Sequence, residues 1–141
     1  MPIGFNDAVH WPTLGPIFRR RDVGAVDAYL AELKRNGVNC IQLMLEYAQG
    51  RHRYLERPPG RFVPSMVALW DDLFALCLRH EIRLLLTPFD TFWHWLRFKH
   101  HPYNSANGGM LDHPSRFILC ETTRRAIKGR LEFAVRRALR P

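Results

Sequence analysis

The stretch LLLTPFDTFWHWLRFKHHPYN, residues 84–104, carries the strongest signal for the fold and for a binding site. It begins as a short apolar strand and continues into a predicted loop crowded with aromatic rings and histidines. Soluble proteins seldom gather such rings in a loop unless the rings bind a ligand or cover a surface. Because α/β proteins place ligand sites where strands end and loops begin, the stretch predicts a binding site. Flat aromatic faces beside acid and amide groups suit a sugar ring.

Helices and strands alternate on both sides of this stretch. Asp22 is placed to cap a helix that Gly37 ends in the left-handed conformation. Apolar periodicity predicts helices near 22–37, 64–80 and 121–139, and strands at 3–9, 38–45 and 82–89. The buried stripe of the last helix is predicted to be Ile127, Leu131, Ala134, Val135 and Ala138. Residues 46–63 and 90–120 are predicted to form connecting loops, the second of them long.

This alternation predicts an α/β fold. Strand, helix and strand at this spacing indicate right-handed βαβ units and a parallel sheet. A complete (β/α)8 barrel needs about 250 residues. The expectation is therefore a partial TIM barrel, about its first three βα units, with helices outside parallel strands and residues 1–141 as a single incomplete domain. A small three-layer sheet in its own right is the alternative.

The charge distribution bears on possible partners. The net charge is +8, and much of it lies in Arg19–Arg21 and in residues 124–140. A basic helix can follow phosphates, but it can equally be the solvated face of an amphipathic helix. Since no zinc-finger, RNP or glycine-loop motif accompanies it, nucleic acid is not the favoured partner.

Other sequence features concern the compartment and cofactors. No apolar run approaches the roughly 20 residues of a membrane span, so no membrane partner is expected, and no secretory signal is seen. The three cysteines, Cys40, Cys77 and Cys120, are widely spaced and odd in number, and the first two lie in apolar patterns typical of buried thiols. This pattern argues against a disulfide framework and favours a cytoplasmic setting. His94, His100 and His101 lack a metal-ligand spacing, and no cofactor motif is present.

Four segments in order resemble a known family. They are YLAELKRNGVNCIQLMLEY (29–47), GRFVPSMVALWDDLFALCLRHEIRLLLTPFDTFW (60–93), HHPYNSANGG (100–109) and TRRAIKGRLEFAVRR (123–137). Together they resemble the N-terminal part of a retaining glycoside hydrolase of the cellulase and β-mannanase-like family. The resemblance implies a (β/α)8 barrel that cleaves β-linked glycans with two glutamates, neither of which has a counterpart here. Gln42 and Glu81 also depart from the arginine and glycine common in that family.

The resemblance implies a carbohydrate function, with an oligo- or polysaccharide as the partner. One expectation is a truncated hydrolase that is inactive or weakly active. The alternative is a non-catalytic carbohydrate-binding module that self-associates through open sheet edges.

The candidate site residues lie at strand ends and in the aromatic stretch. Glu46 and Asp90 close neighbouring predicted strands, and retaining glycosidases need carboxyl groups about 5–5.5 Å apart. This pair is a weak catalytic candidate; the competing interpretation is that both residues shape the sugar-binding rim. The predicted substrate-binding residues are Glu46, Asp90, Trp93, Trp95, Tyr103 and Asn104.

Overall fold

The computed structural model describes residues 5–6, 20–46 and 54–138, except for the side chains of residues 5, 6 and 93. In chain order the elements are β1 (Phe5–Asn6), α1 (Val23–Arg35), β2 (Cys40–Met44), α2 (Pro64–Arg79), β3 (Arg83–Thr87), α3 (Thr91–Leu96) and α4 (Glu121–Ala138). Short 3-10 turns at Phe98–His100, Ser105–Asn107 and Pro114–Arg116 lie between α3 and α4. The chain divides into two compact units: unit one is residues 1–44 and 68–87, and unit two is residues 45–67 and 88–141.

Unit one contains a small parallel sheet in the order β1-β2-β3. The register of β2 and β3 runs from Cys40 opposite Arg83 to Met44 opposite Thr87. Side chains alternate between the two faces of a strand, and on β2 Ile41 and Leu43 share a buried face. The other buried side chains of unit one come mainly from its helices; they include Val26, Leu30, Leu33, Leu69, Trp70, Leu73, Leu76 and Cys77.

The predicted ends of α1 are confirmed. The Asp22 carboxylate accepts a hydrogen bond from the backbone N–H of Ala25 at 3.1 Å, as an N-cap does. At the other end Gly37 has a φ of 81°, and the Val38 N–H donates to the Leu33 carbonyl. This pairing is the Schellman motif, which satisfies carbonyls that the helix leaves unpaired.

Helix α2 ends in the same motif without a glycine. The Ile82 N–H donates to the Cys77 carbonyl, and Glu81 takes the left-handed position with a φ of 53°. A side chain with a Cβ is strained in that conformation by roughly 1–2 kcal/mol. The carboxylate of Glu81 accepts a hydrogen bond from Lys34 on the surface. Such an exposed ion pair offsets only a small part of that strain.

The predicted partial barrel is wrong. Because β1 spans two residues, only β2 and β3 form a longer parallel ladder, and the described residues form a small mixed α/β fold with four helices. The segments predicted as connecting loops, 46–63 and 90–120, belong instead to a second compact unit, residues 45–67 and 88–141. The physical reason is that residues 89–117 carry an apolar core of their own, which includes Phe89, Phe98, Tyr103, Leu111 and Phe117.

Two local predictions are also corrected. The predicted loop after β3 begins with the six-residue helix α3 and continues through 3-10 turns. On α4 the buried residues are Thr123, Arg130, Phe133 and Ala134, whereas the predicted stripe residues Leu131 and Val135 are exposed. The helix is therefore rotated from the predicted orientation, and it buries an arginine. Across the described ranges, no helix combines the length and apolarity that crossing a membrane requires.

Replacing Glu81 by glycine is expected to raise the free energy of unfolding by about 0.5–1 kcal/mol, because glycine adopts positive φ without a Cβ penalty. The matched variant Gly37→Ala is expected to lower it by about 1 kcal/mol, since its added Cβ meets no atom within 4 Å and only the backbone is strained. Urea unfolding of both variants measures these changes. Changes of the same sign in the two variants would contradict the assignment.

Candidate functional site

A cluster of aromatic side chains forms the core of unit two. The ring of Phe89 lies edge-on to Tyr103 at 5.7 Å and to Phe117 at 4.7 Å between centroids. Phe98 and Leu111 complete the buried set. Edge-to-face contacts of this kind add about 0.5–1.5 kcal/mol each to simple burial. The cluster fixes the segment that follows β3 in the chain.

Arg130 of α4 lies against this cluster with its side chain fully buried. Its Nη1 donates to Glu46 Oε2 at 2.8 Å and to the Pro88 carbonyl at 3.1 Å, and its Nε donates to Glu56. The guanidinium carbon stands 3.8 Å from the centroid of the Phe89 ring. One arginine thus joins its own helix to three other parts of unit two, at Glu46, at Glu56 and at residues 88–89. We call Arg130, Glu46, Glu56, His101 and Tyr103 the ionic cluster.

The remaining members of the ionic cluster add further hydrogen bonds. The Tyr103 hydroxyl donates to Glu56 Oε1 at 2.9 Å. His101 Nδ1 accepts the backbone N–H of Tyr103 at 3.1 Å, which leaves the ring proton on Nε2. That nitrogen lies 3.5 Å from Glu46 Oε1, a long hydrogen bond. Both oxygens of Glu46 therefore have partners within the cluster.

The electrostatics of the cluster keep Glu46 charged. Burial alone would raise the pKa of Glu46, but the Arg130 guanidinium and the His101 hydrogen bond outweigh it and lower the pKa to about 2. A carboxyl whose folded pKa is depressed stabilises the fold above its ordinary value of 4.5, and this stabilisation is lost as the pH falls toward 2. At neutral pH Glu46 is thus ionised, so it cannot serve as a proton donor.

His94 places a neutral imidazole beside the ionic cluster. Its ring centroid lies 4.5 Å from that of His101, 4.6 Å from Phe117 and 5.3 Å from Phe98. Burial, followed by the nearby His101, lowers the pKa of His94 to about 4. Neither ring nitrogen makes a hydrogen bond of ordinary length in the described part of the chain. His94 therefore acts here as an aromatic packing residue.

A second feature of unit two is an exposed aromatic surface on α3. Phe92, Trp95 and Leu96 are 63%, 54% and 57% exposed, and their spacing of three and four residues puts them on one helix face. The His113 ring stands perpendicular to the Trp95 indole, with 5.6 Å between centroids. We call Phe92, Trp95, Leu96 and His113 the aromatic surface.

His113 has a defined tautomer. Its Nδ1 accepts the backbone N–H of Ser115 at 3.2 Å and lies 2.7 Å from the Ser115 hydroxyl. The ring proton is therefore on Nε2, where it can be donated. The aromatic surface thus combines a flat apolar ring with a hydrogen-bond donor.

Three of the predicted site residues are buried. Glu46 and Tyr103 belong to the ionic cluster, where their polar atoms bind other protein groups. Asp90 is 1% exposed and directly precedes α3, with its backbone carbonyl accepting the His94 N–H at 2.8 Å. None of these three side chains faces solvent in the way an open sugar-binding rim requires.

The other predicted residues divide differently. Trp95 is exposed, and the side chain of Trp93 lies outside what the structure describes. Asn104 caps a 3-10 turn, because its Oδ1 accepts the Ala106 N–H at 2.8 Å and its Nδ2 donates to the Phe98 carbonyl at 3.0 Å. Asn104 thereby holds the shape of the segment that carries His101 and Tyr103.

Arg130 and Glu56 are not among the site residues that the sequence predicts. Arg130 was counted with the basic outer face of the last helix, yet it lies three or four residues from the buried residues Phe133 and Ala134. An arginine at such a position is a usable signal for a buried counter-ion. Glu56 lies between segments without periodicity, so the sequence offers no comparable signal for it.

The ionic cluster and the aromatic surface have no counterpart in a matching protein from which a function could be taken. No protein-family model, curated protein or solved structure matches the chain. Within residues 20–46 and 54–138, no group of three or more His, Cys, Asp or Glu side chains could hold a metal ion.

Replacing Arg130 by methionine is expected to lower the free energy of unfolding by about 3–5 kcal/mol, because Glu46 and Glu56 would stay buried without their shared counter-ion. The matched variant Arg124→Met removes an exposed arginine from the same helix and is expected to change stability by less than about 0.5 kcal/mol. Urea unfolding followed by circular dichroism measures both. Equal losses in the two variants would show that the ionic cluster contributes nothing specific.

Proposed function

We propose that unit two binds a β-linked oligo- or polysaccharide at the aromatic surface and does not cleave it. The observation that carries the proposal is the exposed Trp95 ring with the perpendicular, donor-bearing His113 beside it. Sugar rings present an apolar C–H face and a belt of hydroxyls. A flat indole complements the first, and the Nε2–H of His113 complements the second.

The rest of unit two supports this role by giving the surface a rigid base. His94, which directly precedes Trp95, and Phe98, which follows three residues after it, are buried, with 4% and 9% of their surface exposed. Binding costs less when the recognising groups are already ordered, because little conformational entropy remains to be lost. A preorganised tryptophan on a packed helix meets this requirement.

The state of Glu46 supports the proposal that unit two does not cleave the glycan. A retaining glycosidase needs one protonated carboxylic acid and one carboxylate flanking the bond. Glu46 has a pKa of about 2 and is buried against Arg130 and His101. The hydrolase activity implied by the family resemblance stays a prediction, as does the cytoplasmic setting suggested by the free cysteines Cys40, Cys77 and Cys120.

Titration calorimetry tests the proposal, with β-1,4-linked glucan and mannan hexasaccharides as ligands and an α-linked glucan of the same length as control. Trp95→Ala is expected to weaken binding at least roughly tenfold, because it removes the stacking ring. Raising the salt concentration is expected to change the affinity little, because a neutral sugar forms no ion pair that salt could screen.

Leu119→Ala is the matched control, because Leu119 is an exposed apolar residue of the same unit, outside the aromatic surface. It should bind the hexasaccharides as the unaltered chain does. The proposal fails if the unaltered chain binds neither β-linked ligand, or if Trp95→Ala binds as tightly as Leu119→Ala. Release of reducing ends during the incubation would revive the hydrolase interpretation.

A further inference from the structure

Strand β3 has an edge that no other described strand covers. In the sheet order β1-β2-β3, it pairs on one side with β2, and the described residues show no ladder on its other side. Leu85 at its centre is 48% exposed, with its side chain on one face of the sheet. Proteins usually blunt such an edge with a proline, a bulge or charged side chains. Of these devices, the five residues of β3 contain only one charge, that of Arg83.

The ladder with β2 determines which backbone groups point outward. The Arg83 N–H donates to the Asn39 carbonyl at 2.9 Å, on the β2 side. In a parallel ladder, successive residues direct their N–H and C=O groups to opposite sides. The backbone N–H and C=O of Leu85 therefore point toward β2, as those of Arg83 do. The backbone N–H and C=O of Leu84 and Leu86 point toward the open edge.

We propose that two copies of this chain associate by antiparallel pairing of their β3 edges around a two-fold axis at Leu85. In this register Leu84 of each copy lies opposite Leu86 of the other. Each of these two pairs exchanges both backbone hydrogen bonds, which gives about four in total. The outward-pointing groups of β3 thus find partners without any shift of the strand, and the two sheets join into one.

The sequence of β3 favours this partner and this direction. Antiparallel pairing centred on Leu85 places Arg83 opposite Thr87, so no like charges meet. Parallel pairing in register would instead place Arg83 beside Arg83, which is unfavourable. Leucines meet leucines at the remaining positions. A two-fold axis also closes the assembly at two copies, since each β3 edge is used once.

The interface is small, which determines how the association should behave. Five paired residues bury less than the roughly 1,200–2,000 Å² typical of stable complexes, so the dimer is expected to form reversibly as concentration rises. The net charge of +8 on each copy opposes association at low ionic strength. Added salt should therefore strengthen the dimer, whereas it would weaken binding to a polyanion.

Disulfide trapping tests the register. Residues directly opposite in a non-hydrogen-bonded antiparallel pair have Cα atoms about 4.5 Å apart, within the range of a disulfide. Leu85→Cys in a Cys120→Ser background is expected to form covalent dimers under mild oxidation at concentrations where the unaltered chain dimerises. Leu78→Cys in the same background is the matched control: Leu78 is 76% exposed on α2 of the same unit, and this variant should form no covalent dimer.

Sedimentation equilibrium tests the association itself. The unaltered chain should show a reversible monomer–dimer equilibrium, which Leu85→Lys should weaken at least tenfold and Leu78→Lys should leave unchanged. If Leu85→Lys proves unfolded by circular dichroism, the two cysteine variants decide. The proposal is overturned if the unaltered chain stays monomeric up to several hundred micromolar, if it assembles beyond a dimer, or if Leu85→Cys and Leu78→Cys cross-link equally.

Discussion

The buried guanidinium of Arg130 is the interaction on which unit two depends. It donates to Glu46, Glu56 and the Pro88 carbonyl, and it stacks on Phe89. A buried charge is costly unless it is paired and hydrogen-bonded, so each partner is needed to make the others tolerable. Because these partners lie far apart in sequence, the single arginine fixes the relative positions of segments that secondary structure alone leaves unconnected.

This constraint separates the buried polar residues from the aromatic surface at which we propose that a ligand binds. Glu46 and Tyr103 satisfy their hydrogen bonds within the protein, which makes them part of the framework. The ring of Trp95, by contrast, stays half-exposed beside His113. The division is physically consistent, since a buried and closely packed base limits the orientations of an exposed aromatic ring.

Much of unit one could be predicted from the sequence. The cap at Asp22, the left-handed Gly37 and the apolar runs located α1, β2, α2 and β3 to within about two residues, because these signals act over short distances. The ionic cluster could not be predicted in this way. Arg130 binds carboxylates 74 and 84 residues earlier in the chain, and no local periodicity reports such a contact. Because such long-range contacts leave no local signal, residues 46–63 and 90–120 were predicted to be barrel loops.

The orientation of α4 shows the physical basis of that failure. Apolar periodicity would bury Leu131 and Val135, but both are exposed and Arg130 is inside. In this orientation the fold loses the burial of two aliphatic side chains, and full burial of each would contribute about 1.5–3 kcal/mol. It gains a counter-ion for two buried carboxylates. Pairing of buried charge therefore outweighs the apolar pattern at this helix, and only the three-dimensional arrangement reveals it.

The measurement that tests this account most directly is the carboxyl titration of Glu46, followed by ¹³C NMR of the side chain while the protein remains folded. Glu46 held between Arg130 and His101 should titrate with a pKa of about 2, well below its ordinary 4.5. A value near its ordinary 4.5 or above would contradict the account, because it would mean that the Arg130 guanidinium does not neutralise this carboxylate.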